Sequence, residues 1–266
     1  MQGMVPLSGF GGVPYSAVRK AAPRNLLDNS DFRNPVNQRG KTSITIDSGY
    51  MPWIDRWLFT DWSSQNGVLT ATANGISVGN TDISFYQRFE KGVLHQGGKY
   101  TLVLYISGEN PTIYNEAISF GDTFDSIGFT VTSGKTIYAA ALYSGEYTSE
   151  TLPEYHPRGY GAEFAECIRY YYRNWDGELD SSKLFSVYVP VNGRSTSIVF
   201  PAKMRVNPTI TLYNPVSGRE GVVGNWTDDS DVNASVLYLS NRYFILGGDV
   251  QSGSMYELQF EASAEI

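Results

Sequence analysis

The residues best suited to chemistry in this 266-residue chain are its aromatic ones, which include five Trp and 19 Tyr. Sugars stack on such rings because their C–H faces meet an electron-rich surface. Trp53, Trp57 and Trp62 lie close together, with Tyr50 beside them. In Trp53-Ile-Asp-Arg-Trp57 the alternate positions 53, 55 and 57 share a face if the segment is extended. Trp57 then reads as core and Asp55–Arg56 as a local polar tie, while Trp53 and Trp62 read as core or as ligand platforms. Trp175 and Trp226 stand in polar, loop-like surroundings, which favour contact with a partner or a glycan. The candidate platforms are therefore Trp53, Trp62, Trp175 and Trp226.

Catalytic signatures are weaker. A glycan hydrolase needs two carboxyls across the scissile bond. Asp122 with Asp125, and Asp228 with Asp229 and Asp231, form acidic clusters that read as solvated turns. The run Asp228–Asn233 offers oxygen ligands but lacks the spacing and final Glu of a calcium loop, so no metal is expected. Cys167 is the single cysteine. Neither His95 nor His156 lies in a cysteine-protease signature, and Cys167 reads as a small buried apolar residue. There is no P-loop and no G-x-S-x-G. No catalytic residue and no cofactor is expected.

These residues must be positioned by β-structure. Charged residues make up 18% of the chain, and Tyr is abundant, a composition that suits pleated strands and wet surfaces. The net charge of −7 and the absence of a basic run argue against nucleic acid and anionic membranes as partners. No stretch approaches the roughly 20 apolar residues of a membrane span. The N-terminus lacks the pattern of a secretory signal. Strands are expected at Ser43–Ile46, Arg56–Thr60, Val68–Ala73, Ile83–Phe89, Tyr100–Ile106, Ile127–Val131 and Thr136–Leu142. Turn chemistry separates them, as at Asn66-Gly67 and Asn74-Gly75. One helix is expected over Gly161–Trp175, with Phe164, Cys167 or Ile168, and Tyr171 on its buried face. Further strands are expected at Leu184–Val189, Ser195–Phe200, Thr209–Tyr213, Val236–Leu239, Tyr243–Leu246 and Tyr256–Glu261. The fold class is mainly β: a jelly-roll sandwich over 25–152, then the helix and a smaller C-terminal β-sandwich over 153–266. Residues 1–24, rich in Gly and Pro, read as a disordered arm or as an anchor that orders on a partner, with Leu7, Phe10 and Tyr15 among its apolar pegs.

Three motifs in order carry a resemblance: NLLDNSDFRNPVNQRG (25–40) followed by WIDRW (53–57), then LPEYHPRGYGAEFAECIRYYYR (152–173), then FPAKMRVNPTITLYNP (200–215). Together they resemble the tail-fibre or minor structural proteins of phages and prophages. Those chains open with a carbohydrate-binding-like jelly roll and carry a segment of the form P-x-E-x-R-x-Y-x-x-E-L-x-x-C-x-R-Y-Y before a small β-domain. The resemblance implies a virion protein assembled in the host cytoplasm, commonly a homotrimer. It would dock to other virion proteins through residues 1–24 and attach to host surface glycans. A tail fibre, a collar, head-fibre or decoration subunit, and a glycan depolymerase all stay open. In sugar-binding jelly rolls the opening often reads N-L-x-x-N-G-x-F-E, and its Glu helps hold calcium. Here Arg33 takes that place, and Arg cannot ligate calcium. If the fibre is trimeric, Tyr170, Tyr171 and Tyr172, which point in three directions on a helix, become candidates for the inter-subunit seam.

Overall fold

The computed structural model describes residues 23–47, 49–115, 118–175, 185–190 and 192–265. The proposed anchor residues Leu7, Phe10 and Tyr15 lie outside them.

The first module has eleven strands: β1 (Ser43–Ile46), β2 (Met51–Pro52), β3 (Leu58–Thr60), β4 (Gly67–Thr72), β5 (Gly75–Val78), β6 (Ile83–Glu90), β7 (Tyr100–Ile106), β8 (Thr112–Tyr114), β9 (Ile118–Phe120), β10 (Phe124–Val131) and β11 (Thr136–Ser144). They form a six-stranded sheet, β1-β4-β5-β11-β7-β8, and a five-stranded sheet, β2-β3-β6-β10-β9. Every pairing between these strands is antiparallel. The two sheets enclose one core, as in the jelly-roll class of sandwich. The alternation in β6 sends Phe85 and Phe89 into that core, and the alternation in β7 sends Leu102 and Leu104 to meet them. Trp57, Phe32, Phe59, Phe85 and Phe129 form the aromatic centre, with ring centroids 4.9–6.5 Å apart.

The other face of β7 and β11 is also covered. Val103, Tyr105, Ala139, Ala141 and Tyr143 pack beneath Tyr147, Leu152 and Tyr155 of the segment that leaves the sandwich. That segment closes the outer side of the six-stranded sheet. The outer side of the five-stranded sheet has no such cover among the described residues.

The helix α1 (Tyr160–Cys167) is shorter than the sequence pattern suggests. Its buried residues are Glu163 and Cys167, whereas Phe164 is only half-buried. The chain then turns and Tyr171–Arg173 becomes strand β12. Aromatic residues favour strands when a ladder is available, and the last strand of the chain, β19 (Ser254–Ser263), supplies one, pairing Tyr171 with Ser263 and Arg173 with Glu261. Glu166 and Arg169, three residues apart, pair at 3.0 Å.

The second module continues with β13 (Phe185–Val189), β14 (Ile198–Val199), β15 (Thr209–Tyr213), β16 (Val222–Asn225), β17 (Asp231–Leu239), β18 (Tyr243–Gly248) and β19 (Ser254–Ser263). Its eight strands make one sheet that curls over a separate core of Val187, Leu212, Phe244, Leu258 and Phe260, among others. The long strand β19 pairs with β12, β13, β15 and β16.

The modules meet through the first two motifs. The Arg56 guanidinium lies 3.5 Å from the ring centroid of Tyr170, pairs with Asp28 at 3.2 Å and donates to the Arg88 carbonyl at 2.8 Å. Arg56 holds a left-handed φ of 72°, so these contacts must offset backbone strain. Arg39 stacks on Tyr171 at 3.8 Å and reaches Glu265 at 2.7 Å. Glu163 accepts from the Asn29 backbone N–H at 2.8 Å, and Arg158 bridges Asp28 and Glu163 at 3.0 and 3.1 Å. Burial pushes the Glu163 carboxyl up, against the opposing pull of these two donors.

Trp57 is fully buried and its indole N–H donates to the Asn29 carbonyl at 2.9 Å. Trp57→Ala is expected to cost about 3–5 kcal/mol, read as a lower urea midpoint. Burial pushes the Cys167 thiol far up. Cys167 is therefore expected to resist alkylation by iodoacetamide in the native protein and to react once denatured; native reactivity would contradict this burial.

Candidate functional site

The uncovered outer face of the five-stranded sheet carries an aromatic surface. Tyr86 and Arg88 point outward from β6, opposite Gly128 and Ser126 of β10. A Cβ on Gly128 would come within 2.4 Å of the Tyr86 ring, so this glycine lets the ring lie flat across the neighbouring strand. Tyr50 stands edge-on to Tyr86 at 5.2 Å and to Trp62 at 5.9 Å. Trp62 is 66% exposed and Tyr50 44%. Arg88 lies 5.5 Å from the Tyr50 ring and 4.4 Å from that of Phe124.

Trp62 also borders an open depression of about 550 Å³, lined by Ser63, Asn80, Thr81, Asp82, Ser84, Thr130 and Ser133. This lining is a run of hydroxyl, amide and carboxylate groups. The Ser84 and Thr130 hydroxyls are 2.9 Å apart, as are those of Ser63 and Thr81. An apolar ring beside a hydroxyl-rich depression is the chemistry that meets a sugar, which has both apolar faces and hydroxyl rims.

Trp62 is held by the turn it belongs to. The Asp61 carboxylate accepts from the Ser63 N–H at 2.8 Å, the Ser63 hydroxyl at 2.6 Å, the Gln65 N–H at 3.0 Å and the Gly67 N–H at 2.9 Å. The partial desolvation of Asp61 acts against its ionised form, but these donors together prevail and hold the carboxyl below its ordinary range.

The other candidate platforms fare differently. Trp53 is fully buried, its indole N–H donating to the Lys41 carbonyl at 2.8 Å, and it serves the core with Phe59. Trp175 is also buried, against Tyr213 and Arg173. Neither presents a face to a ligand. Trp226 is 51% exposed but stands on the second module, between β16 and β17, apart from the Trp62 surface. Tyr170 and Tyr171 are buried between the chain's own modules, and Tyr172 packs on Phe260 in the second core. Within the chain, Tyr170 and Tyr171 form an intramolecular joint, each with one face taken by an arginine of the first module. Tyr86, Arg88 and Phe124 are not among the sequence-predicted platforms; strand alternation, which puts Ser84, Tyr86 and Arg88 on one face of β6, is the signal that points to the first two.

The acidic clusters are tied internally. Asp231 accepts from Asn214 at 2.7 Å and Ser217 at 2.6 Å, Asp228 caps Ser230 at 2.7 Å, and Asp125 pairs with Lys91 at 2.7 Å. Arg33 donates to both oxygens of Asp31, at 2.8 and 3.2 Å. Among the described residues no cluster of three or more His, Cys, Asp or Glu could hold a metal, and no helix is long and apolar enough to cross a membrane. No family model, curated protein or solved structure matches the chain.

The folded state prefers the ionised form of Asp61, so the stability this group contributes is present above its unfolded value of 3.8 and is lost as pH falls through its lower folded value. Asp61→Asn is expected to lower the melting temperature at pH 7 and to flatten the acid side of the stability curve. Calorimetry between about pH 2 and 7 measures both; an unchanged profile would remove Asp61 as the organiser of the Trp62 turn.

Proposed function

We propose that this protein is a non-enzymatic adhesion subunit that binds glycans on the outer face of its five-stranded sheet. The observation that carries this reading is the exposed Trp62–Tyr50–Tyr86 surface beside a hydroxyl-lined depression, on the sheet face that the chain leaves uncovered. Asp125, Asp228 and Asp231 of the acidic turns are engaged by neighbouring donors, which favours adhesion over hydrolysis.

The motifs resemble phage tail-fibre or minor structural proteins, and the reading extends to that setting. The subunit sits in a virion, docked to other virion proteins through residues 1–24, and acts as a homotrimer. Shallow stacking contributes about 0.5–1.5 kcal/mol per aromatic contact, so one site binds weakly. Several sites on one fibre gain avidity from effective concentration. Trimer contacts, in this reading, use surfaces other than Tyr170–Tyr172.

A glycan array on the full-length protein, followed by calorimetry on the best neutral sugar, tests the reading. Trp62→Ala and Tyr86→Ala are each expected to weaken binding about 3- to 10-fold, in keeping with about 1 kcal/mol per ring. Trp62→Ala should leave the melting temperature nearly unchanged, because the side chain is mostly exposed. Array binding that survives both substitutions would move the site elsewhere. No binding by the wild type would leave a virion part without a receptor, such as a collar or decoration subunit.

A further inference from the structure

A second depression, of about 490 Å³, lies where the modules meet, and it differs in charge from the Trp62 surface. Its walls come from both modules. The first module contributes Arg39, Lys41, Ser43, Thr45 and an apolar patch of Ile44, Met51 and Pro52, with the buried Trp53 behind it. The second contributes Tyr171 and Arg173 of β12 and Glu261 of β19. Three cations thus face one acid, in a chain whose 27 acidic residues outnumber its 20 Lys and Arg. The acid is engaged: Glu261 accepts from the Tyr171 phenol and stands opposite Arg173 in the ladder.

The cations are built into the walls. The Lys41 carbonyl accepts the Trp53 indole N–H, which fixes its backbone while its side chain stays exposed. The Lys41 ammonium takes part in none of the ion pairs found among the described residues. Arg39 is clamped flat on the Tyr171 ring, and its fork is shared between Asp55 at 3.4 Å and Glu265 at 2.7 Å. Arginine in such a fixed plane suits a carboxylate, and the hydroxyls of Ser43 and Thr45 and the apolar patch suit a sugar ring.

We propose that this inter-module groove binds an acidic sugar, a pyranose bearing a carboxylate, at a site separate from the Trp62 surface. Arg39, Lys41 and Arg173 meet the carboxylate; the apolar patch meets the ring.

Asp55, buried behind Arg39, gives the site a pH dependence. Burial pushes its carboxyl up to about 7, against the pull of Arg39 and Gln38. The charged and titratable groups around it are Arg39 from its own module, Glu265 and Tyr171 from the second, and Cys167 of α1. Ionised Asp55 holds the Arg39 Nη1 and repels an incoming anion; protonated Asp55 frees that nitrogen for the ligand, while Nη2 stays on Glu265. Binding therefore favours the protonated form, and affinity falls as pH rises through about 7. For stability the sign is the same: the folded value lies above the unfolded 3.8, so the contribution of Asp55 is full below that value and is lost as pH rises to about 7.

Calorimetry of the full chain with glucuronic acid tests the site, with glucose, acetate and phosphate as comparisons. Glucuronate is expected to bind at least 10-fold more tightly than the other three, and several-fold more tightly at pH 6 than at pH 8. Lys41→Glu should weaken glucuronate at least 10-fold while neutral-glycan binding stays as in the wild type. Asp55→Asn should bind glucuronate with a flat profile across this range. Equal binding of glucose or phosphate, or wild-type affinity in Lys41→Glu, would overturn the proposal. A pH dependence that persists in Asp55→Asn would overturn the role of Asp55.

Discussion

Four arginines are held at the boundary between two hydrophobic cores, and the architecture depends on how their charge is neutralised there. Arg39, Arg56 and Arg158, largely withdrawn from water, would be costly to leave unpaired, while Arg169 lies at the half-exposed rim. Each instead meets a carboxylate, and Arg39 and Arg56 also lie flat on a tyrosine ring. Asp28 and Asn29 sit at the centre. Asp28 serves Arg56 and Arg158, while the Asn29 side chain closes a loop by bonding the Val36 N–H and the Val36 and Asp55 carbonyls at 2.7–2.8 Å. Directional bonds of this kind fix the relative placement of two modules more tightly than an apolar contact of similar area would. The inter-module groove inherits its shape from the same contacts.

Much of the fold is legible in the sequence because its strands alternate. β1, β7 and β15 fall on the residues that periodicity picks out, since each places aliphatic residues at alternate positions. The strands that escape are short or lack contrast. β5 (Gly75–Val78) holds four residues, of which three are buried, so no alternation marks it. β16 (Val222–Asn225) has the same problem. The sequence pattern carries α1 past its end because a tyrosine run is compatible with helical spacing, and only the distant β19 reveals that it is wanted as a strand. Local propensity cannot report a partner about 90 residues away.

The candidate site was legible in half. Exposure is a tertiary property: Trp53 and Trp62 are nine residues apart in similar company, yet one is sealed in the core and the other stands on a turn. What separates them is Asp61, whose four acceptor bonds turn the chain outward just before Trp62. The charge pattern of the groove was not legible at all. Arg39 and Arg173 are 134 positions apart, and only the docking of β12 against the first module brings them to one wall.

The central place of β19 bears on the order in which the protein can be made. The buried residues between the two sheets of the first module lie within residues 27–142, so that sandwich can close while translation continues. The second module cannot. Its strands β12, β13, β15 and β16 all wait for residues 254–263, which are translated after every one of them. Until then their ladder edges stay open, and the arginines of the finished sandwich have no tyrosines to cover. The nascent chain thus carries a completed domain followed by strands whose β19 partner has yet to emerge, a state in which a ribosome-associated chaperone would find most of its work at β12, β13 and β15, since β16, β17 and β18 can pair among themselves.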